Sequence, residues 1–190
     1  MTTTRRIQDA EVQQLAALAA TIRADYDADD LAWEGSPFAW IRSRPSRQRG
    51  TIGEKLVAGW CAAKGLDVVR APDSECDRLI DGVRTEIKFS TLWANGRYCF
   101  QQFRNQRYDI AICLGVSPFD AHCWVLPKSV VSTHLIGAGG VRRPQHGGEE
   151  GRDTAWVHVD PAAPHSWLSG CGGRLRDAIA VLRRTARAAK

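Results

Sequence analysis

Cys76-Asp77-Arg78-Leu79-Ile80-Asp81-Gly82-Val83-Arg84-Thr85-Glu86-Ile87-Lys88-Phe89-Ser90 is the stretch on which the reading of this chain turns. Asp81-Gly82 between two runs that carry apolar residues is the signature of a two-residue type I′ hairpin, which needs positive φ at both central positions. Such a loop pairs Ile80 with Val83, Leu79 with Arg84 and Arg78 with Thr85, and so sets Asp77 directly opposite Glu86. Opposed residues share one face of the sheet, with Cβ atoms roughly 4.5–5.5 Å apart. Lys88 lies two residues beyond Glu86 and shares that face. Two bare carboxylates so placed repel each other unless a cation sits between them.

Working outward, residues 51–64 carry Ile52, Leu56, Val57, Trp60 and Cys61 at helical spacing and stop at Gly65, which predicts a helix before the hairpin. Residues 9–26, with Val12, Leu15, Leu18, Ala19 and Ile22, predict an amphipathic helix near the start. Residues 66–70 read as a short strand. Residues 91–107 are too long for a tight turn and suggest a crossover holding a short helix at 100–105. The nearly continuous apolar run 108–115 has the look of a buried central strand. A strand at 122–126, a helix at 128–136, a glycine-rich loop at 137–151, an edge strand at 155–159 and a basic helix at 175–188 complete the pattern. The order implies an α/β fold with a central mixed β-sheet flanked by helices, because the long crossover permits one parallel pairing.

Two carboxylates and a lysine on one face of a hairpin suit metal-assisted cleavage of a phosphodiester. A hard cation such as Mg²⁺ takes oxygen ligands and usually only one or two carboxylates, leaving room for water and phosphate. Asp77, then eight residues, then Glu86-Ile87-Lys88 resembles the PD-(D/E)xK nuclease superfamily, which contains most type II restriction endonucleases. The resemblance covers roughly residues 50–127. It implies a restriction-endonuclease-like core over 51–136, with a helix and basic connector over 1–50 and a glycine-rich loop, edge strands and basic helix of the same domain over 137–190. It further implies a Mg²⁺-dependent DNA endonuclease, with Mn²⁺ able to substitute, that leaves 5′-phosphate and 3′-hydroxyl ends. Asp77, Glu86 and the Ile87 carbonyl would hold the metal, Lys88 would position the attacking water, and Glu54 would act as an accessory acid from the preceding helix. The literal Pro72-Asp73 pair lies about 13 Å from the Glu86 level at strand rise, too far to share a metal, so Asp77 is preferred although Cys76 stands where the family usually has proline.

Other readings stand beside these. The acidic face can simply be solvated, with Lys88 relieving the pair. Thr51-Ile52-Gly53-Glu54 is also a capping box, which would give Glu54 a structural role. Arg42, Arg44, Arg47 and Arg49 are candidate phosphate contacts or a solvated basic loop, and Gln102 and Arg104 are candidate DNA contacts or a polar exterior. Gln101 or Gln102 can also approach the active centre. Trp93 can stack on a base or serve packing. The five histidines show no HxxxH or HExxH spacing and read as structural. Arginines of the C-terminal segment offer a second DNA contact, an interface or a solvated helix end.

The 190 residues are 44% hydrophobic with seven tryptophans, enough for a packed core, and a formal charge of +5 leans toward a polyanionic partner. Six cysteines form no CxxC pair or zinc spacing and are expected to be reduced core residues. No secretory h-region or membrane-length apolar run is visible, so a cytoplasmic protein is expected. The expected partner is double-stranded DNA, and cutting both strands would favour a homodimer. A restriction enzyme is the leading role. A junction resolvase, repair nickase or homing nuclease with the same site, a non-catalytic DNA-binding module, and a purely structural domain are the rivals.

Overall fold

The computed structural model describes residues 7–23, 26–137, 141–143 and 154–188. The chain divides into two compact units, Met1–Ser36 and Pro37–Lys190. In the first, α1 (Ala10–Arg23) opens on Asp9, whose Oδ1 accepts the Glu11 and Val12 amides, an ordinary N-cap. A short α2 (Asp27–Leu31) follows. The apolar residues that predicted an inward-facing stripe on α1, Val12, Leu15, Leu18 and Ile22, are all exposed.

The second unit holds α3 (Ala39–Arg42) and α4 (Ser46–Ala63), and then a six-stranded sheet. Its strands, in spatial order, are β1 (Val68–Arg70), β2 (Arg78–Ile80), β3 (Val83–Thr91), β5 (Ile110–Val116), β6 (Ala121–Pro127) and β9 (Gly172–Arg174). Among the described residues only β3 and β5 run parallel, the single such pairing that the crossover allowed. A second sheet, in the order β4-β8-β7, joins β4 (Tyr98–Phe103), β8 (Thr154–Val159) and β7 (Val141–Arg143). After β6 come α5 (Lys128–Val131) and a π-helical turn (Ser132–Gly137), and the chain ends in α6 (Leu175–Ala188).

Alternation along β5 splits the core into two layers. Ile110, Ile112 and Leu114 face Val57 and Cys61 of α4 and Ala178, Ile179 and Leu182 of α6. Ala111 and Cys113, with Trp124 and Leu126 of β6, face Tyr98, Phe100, Phe103, Ala155 and Val157 of the second sheet. Helices cover one side of the central sheet and the small sheet covers the other. All six cysteines are buried and none is in a disulfide, and burial pushes the Cys61 thiol up to about 12 and Cys123 well above the ordinary thiol range.

Four sequence expectations are corrected. Helix α4 begins at Ser46 rather than at residue 51, because Pro45, with φ of −54°, presets the entry and the arginine-rich stretch winds into the first turns. Residues 100–105 are not helical, since Tyr98–Phe103 is a strand whose aromatic residues are fully buried against the central sheet. Strand β8 is the middle of its sheet and not an edge. Of the predicted 137–151 loop, Gly137 ends the π-helical turn, Val141–Arg143 is strand β7, and the remainder falls outside the described residues.

Gly53 sets how close α4 lies to the sheet. A Cβ there would stand 2.2 Å from the Phe89 Cβ, so only glycine lets the helix rest on β3 at this level. Gly59, on the same helix, has nothing within 4 Å of a Cβ. Gly53→Ala is therefore expected to cost about 1–3 kcal/mol by overpacking, read as a lower midpoint in urea at unchanged slope. Gly59→Ala should stabilise by about 0.5–1 kcal/mol in the same titration, because it removes only the entropic penalty of glycine in a helix.

Candidate functional site

Asp81 and Gly82 both have positive φ, 49° and 83°, which makes the β2–β3 connection the tight turn expected of Asp-Gly. The register follows: Ile80 opposes Val83, Leu79 opposes Arg84 and Arg78 opposes Thr85. One step further out, the Asp77 amide donates to the Thr85 carbonyl at 2.9 Å, so the regular pairing stops at Arg78–Thr85 and Asp77 lies just beyond β2, next to Glu86 on the groove but not paired with it in the ladder.

Because β2 ends there, the Glu86–Thr91 half of β3 has no strand on that side among the described residues. The Asp77 carboxylate occupies the vacated edge, where its Oδ2 accepts the Ile87 amide at 2.6 Å. In an extended strand a residue's N–H and C=O point to the same edge, so the Ile87 carbonyl faces this edge too. Glu86, only 8% exposed, is held by Lys88, whose Nζ donates to Glu86 Oε1 at 2.7 Å. The same ammonium donates to the Gln102 carbonyl at 2.9 Å and stands 5.7 Å from the Phe103 ring centre.

The Gln102 contact depends on a β-bulge. Phe100 pairs with Val157 and Phe103 with Ala155, so β4 spends three steps where β8 spends two. Gln102 takes up the extra residue with φ of 59°, an uncommon conformation for a side chain other than glycine. The bulge lets both phenylalanines bury against one core while Gln101 and Gln102 both turn to the groove. Two adjacent glutamines in an otherwise apolar strand break the alternation, and that was the only sequence signal for the bulge.

A groove of about 550 Å³ runs along the open edge of β3. Asp77, Glu86, Ile87 and Lys88 lie on it, together with Glu54 of α4. Ser46, Gly50 and Glu54, at four-residue spacing, present one stripe of α4 to it, and Arg47 and Arg49 line the wall near the helix N-terminus. The uncovered amides of a helix start favour anions. Of the other sequence candidates, Arg42, Arg44 and Arg104 are not among the lining residues, whereas Gln102 is. Glu54 cannot be a capping residue, because it lies inside α4, and the Thr51 hydroxyl donates back to the Arg47 carbonyl. Glu54 instead stands 3.4 Å from the Arg78 guanidinium, which also donates to the Asp77 carbonyl at 2.6 Å. Asp73 is engaged elsewhere, bonded to Arg84 at 2.6 Å.

Electrostatically the site is loaded. Burial first, then Glu86 and Glu54, push the Asp77 carboxyl up to about 6, against the lowering effects of the Ile87 amide and Lys88. A cation between the carboxylates would reverse that cost. Among the described residues no set of three or more His, Cys, Asp and Glu side chains is grouped as a metal cage. The donors on offer are two carboxylates and a backbone carbonyl, all oxygen, which fits a hard cation that keeps several waters and suits neither zinc nor another soft metal.

No model of a protein family matches the chain, and no curated protein matches it. Among solved structures, the chain is similar to a bacterial homing endonuclease, I-Ssp6803I, at a TM-score of 0.50 and 14% identity over 76% of this chain and 95% of that one. At that identity the likeness is one of fold: a mixed α/β core with a central sheet flanked by helices. Among the described residues no helix is long and apolar enough to cross a membrane.

The raised Asp77 carboxyl has a sign that can be read in solution. Ionising it costs the folded, metal-free protein stability above about pH 6, and that stability returns as pH falls through about 6 toward the unfolded value of 3.8. Asp77→Asn keeps an oxygen for the Ile87 amide and removes the charge. It is expected to stabilise the protein at pH 7.5 in chelator by on the order of 1–3 kcal/mol, read as a higher melting temperature, and the difference from the wild type should shrink toward pH 5.

Proposed function

We propose that this chain is a Mg²⁺-dependent endonuclease that hydrolyses phosphodiester bonds of double-stranded DNA. The observation behind the reading is the pair Asp77 and Glu86 beside Lys88 on a groove walled by Arg47 and Arg49. The fold shared with a homing endonuclease supports it. Asp77, Glu86 and the Ile87 carbonyl would hold Mg²⁺, with Mn²⁺ able to substitute. When bound, the ion would acidify a coordinated water and offset the charge developing on the phosphate.

The side chains supply the rest. Lys88, paired with Glu86 Oε1, would orient the attacking water with its ammonium when a cation is held by the carboxylates. The Gln102 carbonyl and the Phe103 ring hold that ammonium at the groove. Glu54 is an accessory acid positioned by Arg78. Arg47 and Arg49 draw the DNA backbone along the helix N-terminus. Arg42, Arg44 and Arg104 are not needed for this path.

Restriction is the finer role proposed, with 5′-phosphate and 3′-hydroxyl products and a homodimer in the cytoplasm that places one site on each strand. The homing endonuclease neighbour favours a second reading, in which the same site serves a homing nuclease. Cleavage of a randomised duplex library separates them, since a short palindrome marks the first role and an extended asymmetric site the second.

Asp77→Ala, Glu86→Ala and Lys88→Ala are each expected to reduce single-turnover cleavage in Mg²⁺ at least a thousandfold, while circular dichroism stays that of the wild type. In Ca²⁺ the wild type should bind DNA without cutting it. Retained cutting by any of the three variants, or cutting in excess chelator, would sink the assignment. Arg47→Ala and Arg49→Ala should weaken binding and each lower the salt slope by about one.

A further inference from the structure

The groove does not end at the catalytic residues. It continues along β3 past Ser90 and Thr91 to Trp93, which sits at the start of the turn between β3 and β4. The backbone of that turn is fixed. The Trp93 amide donates to the Arg97 carbonyl at 2.9 Å, and the Gly96 amide donates to the Trp93 carbonyl at 2.9 Å. The indole is fixed as well, meeting the His158 ring of β8 edge to face at 5.8 Å and 84°. His158 is itself within 3.8 Å of Cys99 Sγ, and its carbonyl lies 2.9 Å from His165 Nε2. Even so, Trp93 is 41% exposed, whereas Trp124 of the core is 2% exposed. A large ring held rigidly and left open on a groove of polar residues has little to do with packing the fold.

The neighbours of the ring suit a base. Gln101, brought to the groove by the β4 bulge, offers an amide beside it, with its Nε2 3.6 Å from Cys99 Sγ. Arg47 and Arg49 line the same groove for the backbone that would run past. An aromatic face accepts any nucleobase, but only one that has left its place in the duplex stack.

We propose that Trp93 is a nucleobase-stacking subsite, and that the substrate is DNA carrying an unpaired or displaced base a few nucleotides from the bond that is cut. At strand rise Trp93 lies about 16 Å from Lys88, on the order of five stacked nucleotides and fewer if the strand is drawn out. The inference rests on the nuclease reading for its scissile bond, but the stacking itself is readable without cleavage.

The test uses duplexes in which 2-aminopurine occupies a single-base bulge, scanned from one to seven nucleotides on either side of the cut, bound in Ca²⁺. At one position the wild type should quench the 2-aminopurine emission, Trp93→Phe should quench it less, and Trp93→Ala not at all. With Mg²⁺, a bulge at that position should raise kcat/KM of the wild type roughly five- to hundredfold over continuous duplex, the range for one base stack. Trp93→Ala should bring that ratio to about one. No quenching at any position, or quenching and preference that survive in Trp93→Ala, overturns the subsite. Lys88→Ala keeps the two questions apart. Quenching in this variant with no cutting by the wild type on any substrate would leave the subsite standing and the nuclease assignment fallen.

Discussion

The hydrogen bond from the Ile87 amide to Asp77 Oδ2 joins the two ends of the β2–β3 hairpin, and much of the site follows from it. It places a carboxylate where the next strand would otherwise have paired, so the sheet opens into a groove at that level. It also turns the Ile87 carbonyl toward the same space. The bond lowers the cost of ionising Asp77, but burial and the nearby Glu86 outweigh it. The unligated site is therefore held in tension by its own geometry. Such tension is a common mark of a place built to receive charge.

Around that bond the remaining elements act as supports. Helix α4 can approach β3 because Gly53 has no side chain, and the approach brings Glu54 and the two arginines of its first turns to the groove. The bulge in β4 delivers a carbonyl to Lys88 from the opposite side. The cation is thus gripped between an acidic side chain and a backbone oxygen. Each support comes from a different layer of the fold, which explains why a site with three principal side chains needs most of the second unit to hold it.

The parts of this arrangement that were legible in the sequence were those governed by local chemistry. Asp81-Gly82 dictates a turn, the turn dictates a register, and the register brings Asp77, Glu86 and Lys88 to one groove. The parts that were not legible depended on distant partners. Strand β4 pairs with β8 some fifty residues on, and nothing in Tyr98–Phe103 announces that partner, while the bulge destroys the period-two pattern that would have marked a strand. Helix α4 was misread at its start because Thr51 and Glu54 imitate a capping box, while Pro45 sets the real beginning. That error placed Arg47 and Arg49 in a loop with Arg42 and Arg44, when the first pair belongs to a helix wall of the groove. The apolar residues of α1 had the spacing of a core helix, but spacing reports a face and not what covers it.

The six buried cysteines carry a consequence for handling the protein. A thiol reacts as its thiolate; all six are screened from reagent, and burial also pushes Cys61, Cys76, Cys113, Cys123 and Cys171 away from ionising. Alkylation must wait until the surrounding layers part. With Cys61 on the inner face of α4, Cys123 between sheet and helices, and Cys99 beside the groove, the labelling rate of each sulfur is a separate clock for the loosening of its own neighbourhood.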